Sequence, residues 1–201
     1  MKLTEFQKEV LHGLMIGDGH ITRAKTPNYT QTFGRKYELF ANHIYSLFRD
    51  FCSTSGLYTY EVHSGKNSPL YRRWIVSTLS NTEFHYFSNL YYIFNDLGER
   101  IKIIPSNIKS IITPVALAYL VMSDGNFHKT HGIIRLCTNC YTKTEVQLLS
   151  DAILDRYGIP SRLEHVRNEQ YIIVIRKVDV PKFQAVVKPY VLPLFLYRIG
   201  L

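Results

Sequence analysis

A chain of 201 residues, 46% hydrophobic and 20% charged, is long and apolar enough for one large domain or two small fused ones, and wholesale disorder is excluded. Its 24 Lys+Arg against 16 Asp+Glu give a formal charge of +8 and a pI of about 9.3, a balance that favours a polyanionic partner. Three cysteines exclude a disulfide scaffold, no apolar run reaches the length of a membrane span, and residues 1–10 lack the apolar core of a secretory signal.

The first predicted element is a helix starting at Thr4. Thr4 and Gln7 fit a capping box, and Phe6, Val10, Leu11 and Leu14 recur at helical spacing up to Gly17-Asp18-Gly19. Two short strands, 20–24 and 29–33, flank the turn Lys25-Thr26-Pro27-Asn28. A helix is predicted over 37–51 and a strand over 57–62. A loop follows over 63–69, then a strand over 70–79 and an aromatic-rich helix over 82–94. The order αββαββα is then broken by Lys102-Ile103-Ile104-Pro105-Ser106-Asn107, which reads as a linker.

The order then returns. Thr113-Pro114 pairs an N-cap with a proline at the first helical position, and the apolar helix behind it ends at Ser123-Asp124-Gly125. Strands are predicted over 126–129 and 132–138, and a helix over 144–157 closed by Gly158. Strands over 162–167 and 171–177 flank Asn168-Glu169-Gln170, and a short helix over 180–187 precedes an irregular tail. A unit of about 100 residues is too long for a solenoid repeat. It reads as a duplicated domain, with repeats over 1–98 and 113–201 and a linker over 99–112. Cys137 and Cys140 form a lone CxxC with no second Cys/His pair at zinc-finger spacing, so they read as thiols on and beside a strand.

Both repeats open with an apolar helix ending in Asp-Gly. A carboxylate at a helix C-terminus meets the negative end of the macrodipole, and a bound cation relieves that conflict. Gly13 and Gly17 lie four apart on one helix face and permit close approach of a partner helix. Each helical glycine costs about 1 kcal/mol against alanine, so two of them imply a packing reason. If the repeats pack through these helices, Asp18 and Asp124 come side by side. Paired carboxylates ask for cations, and oxygen ligands suit Mg²⁺. For either Asp-Gly alone, the bland reading is a simple helix end; recurrence in matching contexts favours the chemical one.

The stretches Leu11-His12-Gly13-Leu14-Met15-Ile16-Gly17-Asp18-Gly19 and Leu117-Ala118-Tyr119-Leu120-Val121-Met122-Ser123-Asp124-Gly125 resemble the motif that names the LAGLIDADG homing endonucleases. The similarity runs along nearly the whole chain, including Lys102-x-Ile104-Pro105 and Lys188-Pro189-Tyr190 with Pro193. It points to the single-chain, two-motif branch found in organellar introns. His12 and Ile16, and Tyr119 and Ser123, depart from the usual motif residues, and Tyr119 is expected to fill the space opposite the Gly13/Gly17 face.

The resemblance implies an α+β fold: two pseudo-symmetric αββαββα repeats forming a saddle of two four-stranded antiparallel sheets, with the motif helices at the interface. It implies a monomer that hydrolyses both strands of double-stranded DNA at a long, pseudo-asymmetric site. Mg²⁺ is the implied cofactor, with Mn²⁺ also supporting activity and Ca²⁺ binding without cleavage. Asp18 and Asp124 are the implied metal ligands, with Gly17 and Ser123 beside them. Lys102 and Arg198 stand where a basic residue stabilises charge at the scissile phosphate, although Arg cannot act as a base. Gln31 and Asn139 are the candidates for positioning water. Major-groove readout falls to strand side chains: Thr22, Arg23, Gln31, Arg72, Arg73, Arg135, Arg162, Arg167 and Arg176. His20, His128 and His131 follow the acidic ends and read as phosphate contacts or plain strand surface.

The competing reading is an intron-encoded RNA maturase on the same fold, with intron RNA as partner. A repressor-like DNA-binding protein shares the basic charge but leaves the acidic pair unexplained. Abundant Tyr, Ile and Asn fit an A·T-rich organellar genome. The expected compartment is the mitochondrial matrix, with the chloroplast as the alternative and no membrane association.

Overall fold

The computed structural model describes residues 1–63 and 70–201; the loop expected over 63–69 lies outside them except for its first residue. The first half runs α1 (Glu5–Ile16), β1 (His20–Ile21), β2 (Tyr29–Gly34), α2 (Glu38–Leu47), β3 (Leu57–His63), β4 (Leu70–Ser77) and α3 (Phe84–Tyr91). Next come a short hairpin of β5 (Tyr92–Phe94) and β6 (Arg100–Lys102), and the one-turn helix α4 (Ile108–Ile111). The second half runs α5 (Pro114–Asp124), β7 (Gly125–His128), β8 (Ile133–Leu136), α6 (Lys143–Tyr157), β9 (Ser161–Arg167), β10 (Gln170–Ile175) and α7 (Val180–Val187). Two 3₁₀ turns, Lys188–Tyr190 and Pro193–Ile199, close the chain.

Helix starts follow their caps. Thr4 and Gln7 exchange side-chain-to-backbone hydrogen bonds at 2.9 and 3.2 Å. The Thr113 hydroxyl accepts from the Ala116 amide at 3.2 Å with Pro114 behind it. At α6 the reciprocal box is Thr142 with Glu145, which sets the start ahead of the predicted 144. Gly158, at φ +60, ends that helix in a conformation that side chains with a Cβ rarely adopt.

Two compact units divide the chain: Met1–Gln7 with Asp18–Leu90, and Lys8–Gly17 with Tyr91–Leu201. In the first, a four-stranded antiparallel sheet has the order β1-β2-β4-β3. Tyr29, Phe33 and Val76 face the helical side, where Tyr29 meets Phe48 and Phe33 meets Phe40 edge-on. Burial of each such ring contributes roughly 2–3 kcal/mol. Phe6, expected on the buried face of α1, is exposed, whereas Val10, Leu11 and Leu14 are buried.

In the second unit the sheet order is β7-β8-β10-β9, again antiparallel throughout. Its topology repeats that of the first sheet strand for strand. Helix α6 covers β9 and β10, over a core that includes Ile134, Leu136, Ile173 and Ile175. Residues 115–122 of α5 are all buried, so that helix carries no polar stripe. Gly13 of α1 lies against α5: a Cβ there would overlap the Ala116 carbonyl oxygen and stand 2.8 Å from Tyr119 Cβ. Gly13 in α1 and Gly17 just past its end are therefore explained by the close approach of α5, and Tyr119 does pack beside Gly13.

The aromatic helix predicted over 82–94 stops at Tyr91. Residues 92–94 instead pair with Arg100–Lys102, inside the stretch expected to be linker. The reversal is made by Asn95, whose side chain accepts from the Leu97 and Glu99 amides at 3.0 and 2.8 Å. Among the described residues, no helix is long and apolar enough to cross a membrane.

Candidate active site and nucleic-acid interface

Helix α5 delivers Ser123-Asp124-Gly125 at its C-terminus with no basic residue in its own last turn. The compensating cation comes from the far end of the chain. Arg198, 9% exposed, donates through Nη1 to the carbonyl oxygens of Ser123 at 2.8 Å and Gly125 at 3.0 Å. The Cys137 amide donates to the Asp124 carbonyl at 2.9 Å. All three carbonyls around the acid are thus held. Arg198 was expected to stabilise charge at a phosphate. In the structure it is a buried clamp on the backbone that carries Asp124, where charge-assisted bonds to helix-end carbonyls offset the macrodipole.

Helix α1 ends in the same manner and also lacks a basic residue in its last turn. Lys102, at the end of β6, donates its ammonium to the Gly17 carbonyl at 2.5 Å. Tyr141, in the turn after β8, donates to the Ile16 carbonyl at 2.8 Å. A Cβ on Gly17 would overlap the Asp124 carboxylate and lie 2.7 Å from the Ser123 hydroxyl. Gly17 is therefore the cradle in which those two oxygens sit, and Asp18 is the next residue in the chain.

The donors at this point are hard oxygens: carboxylate, hydroxyl and main-chain carbonyl. Among the described residues no three or more His, Cys, Asp or Glu side chains gather as a metal cage. That oxygen-only set fits a hard divalent cation that completes its shell with water and phosphate oxygens, and not a soft-metal site.

Asp18 is exposed and lines a groove of about 590 Å³ together with His20, Thr30, Gln31, Thr32, Gly34 and Arg73. The sheet register explains that company. Cross-strand partners share a face, so His20, Thr30, Thr32, Gly34, Arg73, Ile75, Ser77, Tyr58 and Tyr60 occupy the open side. Gln31 lies on the other. It is 3% exposed and its side chain accepts from the Tyr29 hydroxyl. Burial, then the Asp18 charge, hold that phenol well above its usual range, so it stays a donor. Gln31 therefore lines the groove from beneath, and does not stand on the exposed face where base readout was expected.

Arg72 is corrected in the same way. It alternates with Arg73 onto the helical side and stands 3.9 Å from Glu61. Thr22 and Arg23 fall outside β1, which ends at Ile21. Thr22 is bound to Asn28, donating to its side chain at 2.6 Å and accepting from its amide at 3.1 Å, so it closes the turn. Arg23 is exposed in that turn.

On the second sheet Asn126, His128, Arg135, Arg162, Glu164, Ile172 and Val174 share the open face. Glu164 bridges Arg135 and Arg162, each at 3.2 Å. Arg167 ends β9 and donates from Nε to Gln170 at 3.5 Å. Arg176 lies past the end of β10, paired with Asp179 at 2.9 Å. Asn139 is half-buried in the turn after β8, three residues from the strand. The rings of His128 and His131 stack with centroids 4.6 Å apart. Sequence patterns alone did not single out Tyr58, Tyr60, Asn126 or Tyr141; the first three follow from register, and Tyr141 has a partner far away in the chain.

His12, a departure from the usual motif, is 8% exposed, and its Nδ1 lies 2.9 Å from the Tyr91 hydroxyl. Burial and, secondarily, Lys8 lower its pKa from an ordinary 6.5 to about 4.

Cytochrome b mRNA maturase bI2 of Saccharomyces cerevisiae is 28% identical over 199 residues, which are 95% of this chain and 46% of that protein. The chain therefore spans about half of that relative. DNA endonuclease I-ChuI of Chlamydomonas applanata is 23% identical over 211 residues, covering 100% of this chain and 97% of its own. The solved structure of the homing endonuclease I-WcaI, bound to its DNA recognition sequence, superposes with a TM-score of 0.87 at 22% identity, over 99% of this chain and 88% of that one. That likeness establishes the shared fold. The sequence signature of the LAGLIDADG DNA endonuclease family matches residues 8–183, and the chain belongs to that family.

Proposed function

We propose that this chain is a site-specific homing endonuclease that hydrolyses phosphodiester bonds in both strands of double-stranded DNA with divalent metal ions. The observation that carries the reading is the Gly17 cradle: a side-chain-free position at the end of one acidic motif helix receives the Asp124 carboxylate of the other. Asp18 and Asp124 would hold the ions, with Ser123 and the Gly17 backbone beside them. Mg²⁺ is the working ion in this proposal, Mn²⁺ substitutes for it, and Ca²⁺ binds without cleavage. Bound, such ions supply charge stabilisation for in-line attack of water on the phosphate.

The chain's own residues do the rest. Lys102, already at the Gly17 carbonyl, brings positive charge to the phosphate. Arg198 keeps the Asp124 backbone in place. Gln31 and Asn139 orient water. The open faces of the two sheets lie along a long, pseudo-asymmetric DNA site. There Arg73, Arg135 and Arg162 read bases or phosphates, while Arg23, Arg167 and Arg176 meet the backbone at the edges. The protein acts as a monomer, with 1–98 and 113–201 as duplicated repeats joined through 99–112. It works in the mitochondrial matrix, or in the chloroplast.

The test is selection of cleaved sites from a random plasmid library with and without Mg²⁺. Asp18→Asn and Asp124→Asn should each abolish cleavage and keep DNA binding; full cleavage by either defeats the mechanism. A second reading, intron RNA binding in splicing, is favoured by the yeast relative named as an mRNA maturase. Rescue of splicing of the host intron by a cleavage-dead variant would support it.

A further inference from the structure

The segment of residues 137–141 touches the backbone of both acid-bearing helix ends. At its start the Cys137 amide donates to the Asp124 carbonyl at 2.9 Å. At its end the Tyr141 hydroxyl donates to the Ile16 carbonyl at 2.8 Å, two residues before Asp18. Between them the segment is anchored twice. The Tyr141 amide closes a turn on the Thr138 carbonyl at 3.1 Å. The Thr138 hydroxyl, on a residue 1% exposed, donates to the Tyr171 carbonyl in β10 at 2.9 Å. A continuous path of hydrogen bonds therefore runs from the second sheet to the last turn of α1.

We propose that Tyr141 is a positioning residue for cleavage: its hydroxyl ties the Ile16 carbonyl to the sheet and so fixes the backbone from which Asp18 projects. The inference rests on the proposed role of Asp18 as a metal ligand. Three features support it. Tyr141 is only 3% exposed, so the bond does not compete with water and its loss orphans a buried carbonyl. Burial holds the phenol far above its usual titration range, so it remains a donor throughout the working pH range. The neighbouring Gly17 carbonyl is already held by Lys102, so the end of α1 is fixed at two successive carbonyls by two different elements. A carboxylate that must meet a metal and a phosphate together needs such a fixed backbone, because a displacement of about 1 Å at a reacting group can cost on the order of 100-fold in rate.

The experiment uses the full chain and a cleavable site selected as above. Tyr141→Phe keeps the ring and removes only the donor. Single-turnover cleavage should fall about tenfold to a hundredfold. The Mg²⁺ concentration for half-maximal rate should rise several-fold, while DNA affinity measured in EDTA stays within about twofold. p-Aminophenylalanine at position 141, which restores a donor, should recover most of the rate. A wild-type rate and Mg²⁺ requirement in Tyr141→Phe would overturn the inference. So would a loss of melting temperature alone with normal cleavage below it, or a failure of the amino analogue to rescue. Asp18→Asn is run in parallel. If it cleaves normally, the proposed metal role has failed and takes this inference with it; if it is inert while Tyr141→Phe is normal, only the positioning role is lost.

Discussion

The Lys102 ammonium donates to the Gly17 carbonyl at 2.5 Å, placing a positive charge at the C-terminus of a helix that has none of its own in its last turn. Lys102→Met should therefore do two things. Stability should fall by about 1–3 kcal/mol, the scale of a hydrogen bond to a charged group, measured by urea unfolding. Single-turnover cleavage should fall on the order of 100-fold, the scale of removing one charge stabiliser. Lys102→Arg, which keeps the charge, should recover part of both.

Gly13 and Gly17 have no room for a methyl group. A Cβ at Gly13 meets the backbone oxygen of Ala116, which cannot swing away, whereas at Gly17 it meets the Asp124 and Ser123 side chains. Gly13→Ala should be the more destabilising, by about 1–3 kcal/mol or more, as read from denaturant midpoints. Gly17→Ala should cost less stability and more cleavage.

His12 sets an acid limit. Its folded pKa of about 4 lies below the ordinary 6.5, so the unfolded chain binds its proton first. The contribution is fully present above about pH 6.5 and is lost as pH falls through about 4, up to roughly 3 kcal/mol in all. His12→Gln should flatten the stability curve between pH 6.5 and 4 relative to the parent, in unfolding titrations at several pH values. An unchanged slope would remove His12 from the account.

Arg72 and Arg73 are neighbours in sequence and opposites in space. Arg73→Ala, on the open face, should weaken DNA binding and reduce the slope of log K against log salt by about 1 if it neutralises a phosphate. Arg72→Ala, on the helical face beside Glu61, should change neither. Titrations at three salt concentrations distinguish them.

Much of the fold is legible in local pattern. The capping box at Thr4 and the N-cap at Thr113 start their helices as read, and the strand runs fall in the expected sheets, although β1 stops at Ile21 and β10 is buried at four successive positions. The hairpin of β5 and β6 is missed because apolar residues continue past Tyr91 without a break in helical spacing, and the turn that reverses the chain rests on the Asn95 side chain and on Gly98 at φ +73. The Thr142-x-x-Glu145 box carries a start signal two residues ahead of the predicted one. At the site, the two Asp-Gly ends stand out locally because an acid there opposes the dipole. The cations that resolve that conflict, Lys102 and Arg198, do not reveal their carbonyl partners, since those lie 85 and 75 or fewer positions away. Gln31 and Arg72 fail as base readers for a simpler reason: one step along a strand reverses the face.

Helix α1 is shared between the compact units, with residues up to Gln7 assigned to one and Lys8–Gly17 to the other. A half-length gene product stopped before Pro114 would keep the glycine stripe and lose Ala116 and Tyr119, the atoms that fill it. Such a fragment would uncover the face of its first helix that Ala116 and Tyr119 cover and should self-associate through it.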